Sequence, residues 1–283
     1  MIGRAFRWAS ERKDAAKAVA VRRAFERGGF KPWTPGYEGY KWDTIARHIN
    51  EGDFERVVGT ERYGYRIDER VVEYPWLLSR LPVGSGVLLD AGSSLNHLPV
   101  LEHPKVAEKK VFISTLAPEA FAHWQRGVSY VYEDLRSTHL AEATFDFVAC
   151  VSTIEHVGLD NQKLYTADEA MRENAPDDYL VVVDRLRRLL RPGGVLYLTM
   201  PFGAYRNHGW FQVFDAVMLD RIVERFAPSS HSEEIFGYAD DRWSRSDRER
   251  SSDATCFDIN ERGGYDDDFA AFSRAVACLE LRR

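Results

Sequence analysis

From residue 86 onward, short apolar runs alternate with stretches of helical spacing. Gly86–Asp90 is an apolar run ending in an acid, followed by the tight turn Ala91-Gly92-Ser93-Ser94. Further runs at Lys110–Ser114, Ser129–Tyr132, Phe145–Val151 and Val195–Thr199 have the length and composition of strands. Leu180, Val183, Leu186 and Leu190 recur at helical spacing over Tyr179–Leu190, and Pro192-Gly193-Gly194 stops them. An earlier helix is predicted over Val71–Leu81, ending at Pro82. Ala275–Leu281 alternates as a last strand, and Ser232–Phe236 is a further candidate. Strands alternating with helices predict an α/β fold: a Rossmann-like doubly wound, mostly parallel seven-stranded sheet with helices on both faces.

The chain before the sheet reads differently. Arg4, Arg7, Arg12, Lys13, Lys17, Arg22, Arg23 and Arg27 intersperse with Phe6, Trp8, Phe25, Ala and Val until Gly28-Gly29, which predicts a basic N-terminal helix. Two readings stand for it: a solvated helix packed on its own domain, or a contact for an anionic membrane surface or a partner protein. Residues 31–80 carry Pro, Gly and many aromatics, including Trp33, Tyr37, Trp42, Tyr63, Tyr74 and Trp76. Such density suits core packing or a substrate wall. The expected division is a helical and aromatic extension or cap over 1–70 and the main domain over 71–283. Tyr238–Asp268, rich in Asp, Arg, Ser and Gly, is expected as a long mobile loop or lid.

Composition narrows the function. A chain of 283 residues accommodates one large α/β domain with extensions. The formal net charge of −6 supplies no global attraction for a phosphate backbone, so nucleic acid is not an expected partner. Cys150, Cys256 and Cys278 form no C-x-x-C pair, which points away from a disulfide framework or zinc site and fits a reducing cytoplasm. No apolar run approaches the ~20 residues that span a bilayer. The first residues lack an apolar signal core, so a cytoplasmic protein is expected.

In open parallel sheets, ligands sit at the carboxyl ends of the strands, where the chain order reverses. Asp90 and Gly92 follow the first strand, and a turn there that approaches a ligand closely calls for a residue without a side chain. The helix after the turn would offer unpaired N–H groups to the ligand's polar end. Gly92-Ser-Ser-Leu-Asn-His97 has one glycine where a dinucleotide site wants G-x-G-x-x-G, so a nicotinamide cofactor fits poorly.

Four segments in order resemble the class I S-adenosylmethionine-dependent methyltransferases over roughly residues 70–283. Leu88–Ser94 resembles the first motif (D-x-G-x-G), Tyr132–Arg136 the acid after the third strand, Phe145–Val157 the fourth-strand motif, and Leu189–Leu198 the turn before the fifth strand. The resemblance implies an enzyme that uses S-adenosylmethionine. It places Asp90, Gly92 and Ser94 at the methionine end of the cofactor. Asp134 would accept from the adenine amino group, with Leu135 beside it. Ser152 and Thr153 would lie near the adenine or the transferred methyl. The chain departs from the family pattern in three places: Ser94 and Asn96 replace motif glycines, and Thr115 stands where an acid usually holds the ribose. A threonine hydroxyl binds a ribose more weakly than a carboxylate, and Glu119 is a second candidate for that role.

Methyl transfer to an alcohol needs alignment and a general base. His156, with Glu155 to orient it, is the first candidate. His208, in the aromatic segment Pro201–Phe211 with Tyr205, Arg206 and Trp210, is the second, and His97 the third. Ser152-Thr-Ile-Glu-His156 also resembles the E-x-x-E-H motif of metal-dependent O-methyltransferases with its first acid missing, so no metal is expected. Similarity of the Ser-Thr-Ile-Glu-His-Val-Gly segment to cell-surface polysaccharide or glycolipid pathways implies O-methylation of a carbohydrate or other polar small molecule. The alternative is a catalytically inactive S-adenosylmethionine-binding scaffold or partner protein.

Overall fold

The computed structural model describes residues 17–162, 169, 172–258, 261 and 263–283. The first sixteen residues of the expected basic helix lie outside this set. Residues 17–27 are helical (α1), and Phe25 at their end is buried against Tyr37 and Ala271.

The strands are β1 (Val87–Ala91), β2 (Lys110–Thr115), β3 (Ser129–Tyr132), β4 (Phe145–Val151), β5 (Leu190–Pro201), β6 (Ser230–Ala239), β7 (Arg242–Ser246) and β8 (Ala275–Arg282). They form one sheet in the order β3-β2-β1-β4-β5-β8-β6-β7. β1 to β5 pair in parallel, and β8 runs antiparallel between β5 and β6. The seven expected strands are all present, and β7 adds an eighth at the edge.

Period-two burial explains why the central strands are apolar throughout. Leu88, Ala149, Val151, Val195 and Tyr197 face one core, with α2 (Tyr37–Glu51) and α3 (Arg70–Arg80). Leu89, Val148, Cys150, Leu196 and Leu198 face the other, with α4 (Tyr179–Leu189) and α5 (Ala216–Phe226). Both faces are covered, as parallel sheets require. Ile45, Ile49, Phe54 and Tyr63 belong to the first of these cores, so the segment 31–70 is packed into the sheet's own interior.

α3 carries Pro75 inside it. The missing N–H would leave the Val71 carbonyl without its helical partner. Tyr63, 2% exposed, fills the gap by donating its hydroxyl to that carbonyl at 2.9 Å.

Tyr238–Asp268, expected as one mobile loop, opens instead with the β6–β7 hairpin. β7 is an edge strand that sends a single large side chain inward, so its alternation is invisible in a polar sequence. That side chain is Trp243, fully buried, whose indole N–H donates to the Ile67 carbonyl at 2.9 Å. Trp243→Ala is expected to cost about 3–5 kcal/mol of unfolding free energy, as for other buried aromatics. Urea denaturation followed by circular dichroism would measure it, and a loss under about 1 kcal/mol would contradict this packing.

Candidate active site

The turn after β1 is held by side chains from three elements. Asp90, fully buried, accepts from the backbone N–H groups of Ser94 (3.1 Å) and Leu95 (2.8 Å). Burial raises its carboxyl to about 7, and the two N–H bonds pull the other way. The N–H groups expected to face a ligand are therefore partly engaged by Asp90, and only a single helical turn, Leu98–Leu101, follows. Ser94 donates its hydroxyl to the Val151 carbonyl, and Tyr74 donates to the Ser94 carbonyl at 2.7 Å. Gly92 has φ 121°, and a Cβ there would lie 2.1 Å from Thr153 Oγ1. The glycine is needed for contact with Thr153, a reason within the protein itself.

A cleft of about 350 Å³ opens at the carboxyl ends of β1 to β4, the switch point of the sheet. Gly92, Ser94, Thr115, Asp134, Leu135, Ser152, Thr153 and His156 all line it, so these sequence candidates converge. Asp90 braces the turn from beneath, and Glu119 is not among the lining residues. The Ser93 Oγ and Thr115 Oγ1 atoms are buried without a hydrogen-bond partner among the described residues. Orphan hydroxyls in a cleft wall are the places where a ligand's polar groups fit.

Several of the converging side chains are already engaged within the protein, Ser94 and Thr153 with the Val151 carbonyl among them. Asp134 is paired with Arg136 at 2.6 Å, and that guanidinium also holds Glu173 (2.7 Å) and Asp178 (2.8 Å). Ser152 has φ 38° and donates its hydroxyl to Glu73 at 2.6 Å, so that group is directed to a carboxylate and not to a cofactor. Glu73 also accepts from Thr199 Oγ1 at 2.6 Å and from Arg70 at 3.0 Å. Arg70 donates in turn to the Val151 carbonyl at 3.1 Å. This buried network fixes the ends of β4 and β5 against α3.

His156 ends a short 3-10 turn after β4. Its Nδ1 lies 2.8 Å from the Trp210 carbonyl, and its ring stacks on Trp210 with centroids 5.3 Å apart. A carbonyl only accepts, so Nδ1 carries the proton and Nε2 the lone pair. Burial lowers the imidazole to about 4, which keeps it neutral. Nε2 sits 4.0 Å from Glu155 Oε1. Glu155 is 1% exposed, burial holds its carboxyl well above the usual range, and Oε2 has no hydrogen-bond partner among the described residues.

On the far side of His156 lies a second cavity, of about 330 Å³. It shares Lys41, Arg70, Ser152 and His156 with the first, and adds the carboxyls of Asp68, Glu69, Glu155 and Asp258. Trp210 is the one residue of the 201–211 aromatic segment that lines it. His208 lies outside both cavities: its ring stacks on Phe211 at 4.2 Å and its Nδ1 faces Glu261 at 3.2 Å. Phe211 is buried and Tyr205 is exposed. His97 lines the first cleft and rests on Trp42, 4.1 Å between ring centroids.

The sequence marks Trp42 only as one of many aromatics over 31–80, and gives no prominence to Lys41, Arg70 and the acids around α3. One signal was present: Glu73 interrupts the apolar run Val71–Leu78, and a charge there is buried only when paired. Glu69 is 5% exposed and accepts from the Ser273 N–H at 3.1 Å. Burial and the neighbouring Asp68 and Glu73 push its carboxyl to about 8. Between its ordinary value and 8, the folded chain keeps a proton that the unfolded chain has released, so this group costs stability as pH rises. Glu69→Gln keeps an acceptor for Ser273 without the charge. Its gain over the natural chain is expected to be absent below about pH 4.5 and to reach about 1–3 kcal/mol by pH 8. Denaturation curves at both pH values check the sign.

Residues 107–198 match the model of the family described as "Methyltransferase domain". The matched stretch spans β2, β3, β4 and most of β5, and the ends of β2 to β4 wall the cleft. No curated protein matches the chain. Among solved structures it is similar to the 1,6-didemethyltoxoflavin-N1-methyltransferase of Burkholderia thailandensis, with bound 1,6-didemethyltoxoflavin and S-adenosylhomocysteine. The two are 16% identical over 86% of this chain and 89% of that one, with a TM-score of 0.46. It is similar also to an S-adenosylmethionine-dependent methyltransferase from Mesorhizobium loti, at 14% identity over 75% and 97% of the two chains and a TM-score of 0.44. Among the described residues, no helix is long and apolar enough to cross a membrane.

Proposed function

We propose that this chain is an S-adenosylmethionine-dependent methyltransferase that acts on a hydroxyl of a polar small molecule, a carbohydrate in particular, held in the second cavity. The observation that carries the reading is His156, a neutral imidazole shared by both cavities with Nδ1 tied to the Trp210 carbonyl. S-adenosylmethionine, when bound, supplies the methyl group already activated as a sulfonium. Gly92, Ser93 and Thr115 are the cofactor contacts in this reading, with Leu135 and Asp134 at the adenine end. Asp90 positions the turn. His156 Nε2 takes the acceptor's hydroxyl proton as the oxygen–methyl bond forms, and Glu155 stands beside the imidazolium that results. Trp210 and Phe272 offer flat faces to a sugar ring, and the carboxyls around them suit its hydroxyls.

Calorimetry with S-adenosylmethionine, paired with a methyl-release assay over a panel of sugars and polyols, tests the reading. Cofactor binding with release on at least one hydroxyl acceptor supports it. Binding without turnover on any acceptor would favour a scaffold, and no binding would remove the cofactor assignment.

A further inference from the structure

Two buried carboxyls of the second cavity stand apart from its cations. Asp68, Glu69 and Glu155 line it with Lys41 and Arg70, and Asp258 there accepts from the Trp210 indole N–H at 3.1 Å. Lys41 is paired with Asp68 at 2.7 Å, and Arg70 with Glu73 at 3.0 Å. Neither Glu69 nor Glu155 receives a cation at ion-pair distance among the described residues. Glu155 is the sharper case, because it is 1% exposed and its Oε2 has no hydrogen-bond partner at all among those residues. A buried carboxyl without partners is costly and is retained where something else completes it. Among the described residues, no group of His, Cys, Asp and Glu is arranged to hold a metal ion. The same cavity presents the aromatic side chains Trp210 and Phe272, with ring centroids 6.2 Å apart. Aromatic faces beside unanswered carboxyls are the surroundings that favour an organic cation over a neutral polyol.

We propose that the second cavity recognises a protonated amine through Glu155, Glu69 and the Trp210 face, so that the acceptor is an amino alcohol or amino sugar. This rests on the reading of that cavity as the acceptor site. Glu155 faces Arg70, Glu69 and Glu73 from the start of α3, Cys150 and Cys256, and its neighbour His156. Burial shifts its carboxyl towards the protonated form in the free protein. An ammonium group arriving beside Oε2 reverses that preference, so binding expels a proton from Glu155 to solvent.

The test is calorimetry on the full chain saturated with S-adenosylhomocysteine, at neutral pH, in phosphate and in MOPS, whose ionisation enthalpies differ. The probes are D-glucosamine against D-glucose, and ethanolamine against ethylene glycol. The amines are expected to bind at least about tenfold more tightly than their neutral partners, with a net release of protons on binding. Glu155→Gln is expected to lose the preference and much of the proton release while melting at or above the natural temperature. Glu69→Gln, a second variant, should weaken the preference and lower the proton release by its own share, because its carboxyl is held up as well, to about 8. Equal or tighter binding of the neutral probes, no proton release, or no binding of either amine at millimolar concentration would overturn the proposal. Locating the methyl by mass spectrometry separates the two readings. O-methylated glucose with no amine preference sinks this inference alone, and a methyl on nitrogen sinks the hydroxyl reading alone.

Discussion

Replacing His156 by alanine is expected to lower turnover by about 10²–10⁴-fold, the usual contribution of a positioned general base. Cofactor affinity should change far less, because His156 is only one part of the wall of that cleft. His156→Gln is the informative companion. Its amide can still donate to the Trp210 carbonyl, yet it has no basic nitrogen, so it should be about as slow as alanine. The acid limb of the rate profile adds an independent reading. An ordinary imidazole would take up a proton near pH 6.5, whereas burial holds this one neutral down to about 4. Turnover should therefore stay level as pH falls from neutrality and drop only as it nears 4, the range in which the base becomes charged. Full activity in both variants would remove His156 from the chemistry.

The second large effect is expected at Gly92. An alanine Cβ would fall 2.1 Å from Thr153 Oγ1 and 2.3 Å from Thr153 Cγ2, and φ 121° is strained for any residue with a side chain. Gly92→Ala is expected to cost about 2–4 kcal/mol of stability and to weaken cofactor binding by about tenfold or more. The two causes can be separated. Thr153→Ala in the same chain removes the two closest contacts and leaves the Thr153 Cβ at 2.7 Å and the backbone strain, so the double variant should recover part of the stability. Urea midpoints for the natural chain, both single variants and the double variant would measure the coupling. Complete additivity would mean that the turn moves away from β4 when it is enlarged.

The chain's local patterns carried the order of elements well. Tyr63, Pro75 and Val71 show where they stopped. Pro75 inside α3 reads as a helix breaker, and the helix survives because Tyr63 folds back to serve the freed carbonyl. Trp243 shows the same limit in a strand. Arg242-Trp-Ser-Arg-Ser246 has one inward residue, too few to establish a period, and its partner Ile67 lies 176 positions away.

At the site, the residue types at the strand ends could be read in advance, and their employment could not. Thr115 and Gly92 line the cleft as their places after β2 and β1 suggest. Ser152 belongs to the same strand-end set, but its hydroxyl goes to Glu73, 79 positions earlier, which also receives Thr199 from 126 positions away. His208 had much the same local credentials as His156: both follow a strand at the ligand edge of the sheet. Only the packing of the 206–213 segment separates them, turning Trp210 inward beside His156 and stacking His208 on Phe211.

By itself, the amino-acid sequence determined the succession of strands and helices and the residue types that stand at the sheet edge. Apolar periodicity and turn residues act over a few positions and need no distant partner. The tertiary structure alone decided which acids are buried together, which histidine stands between the cavities, and that residues 31–70 close over them. Those outcomes depend on how α2 and α3 dock on β4 and β5, and a hydroxyl or carboxyl carries no local mark of the partner it will meet across that interface.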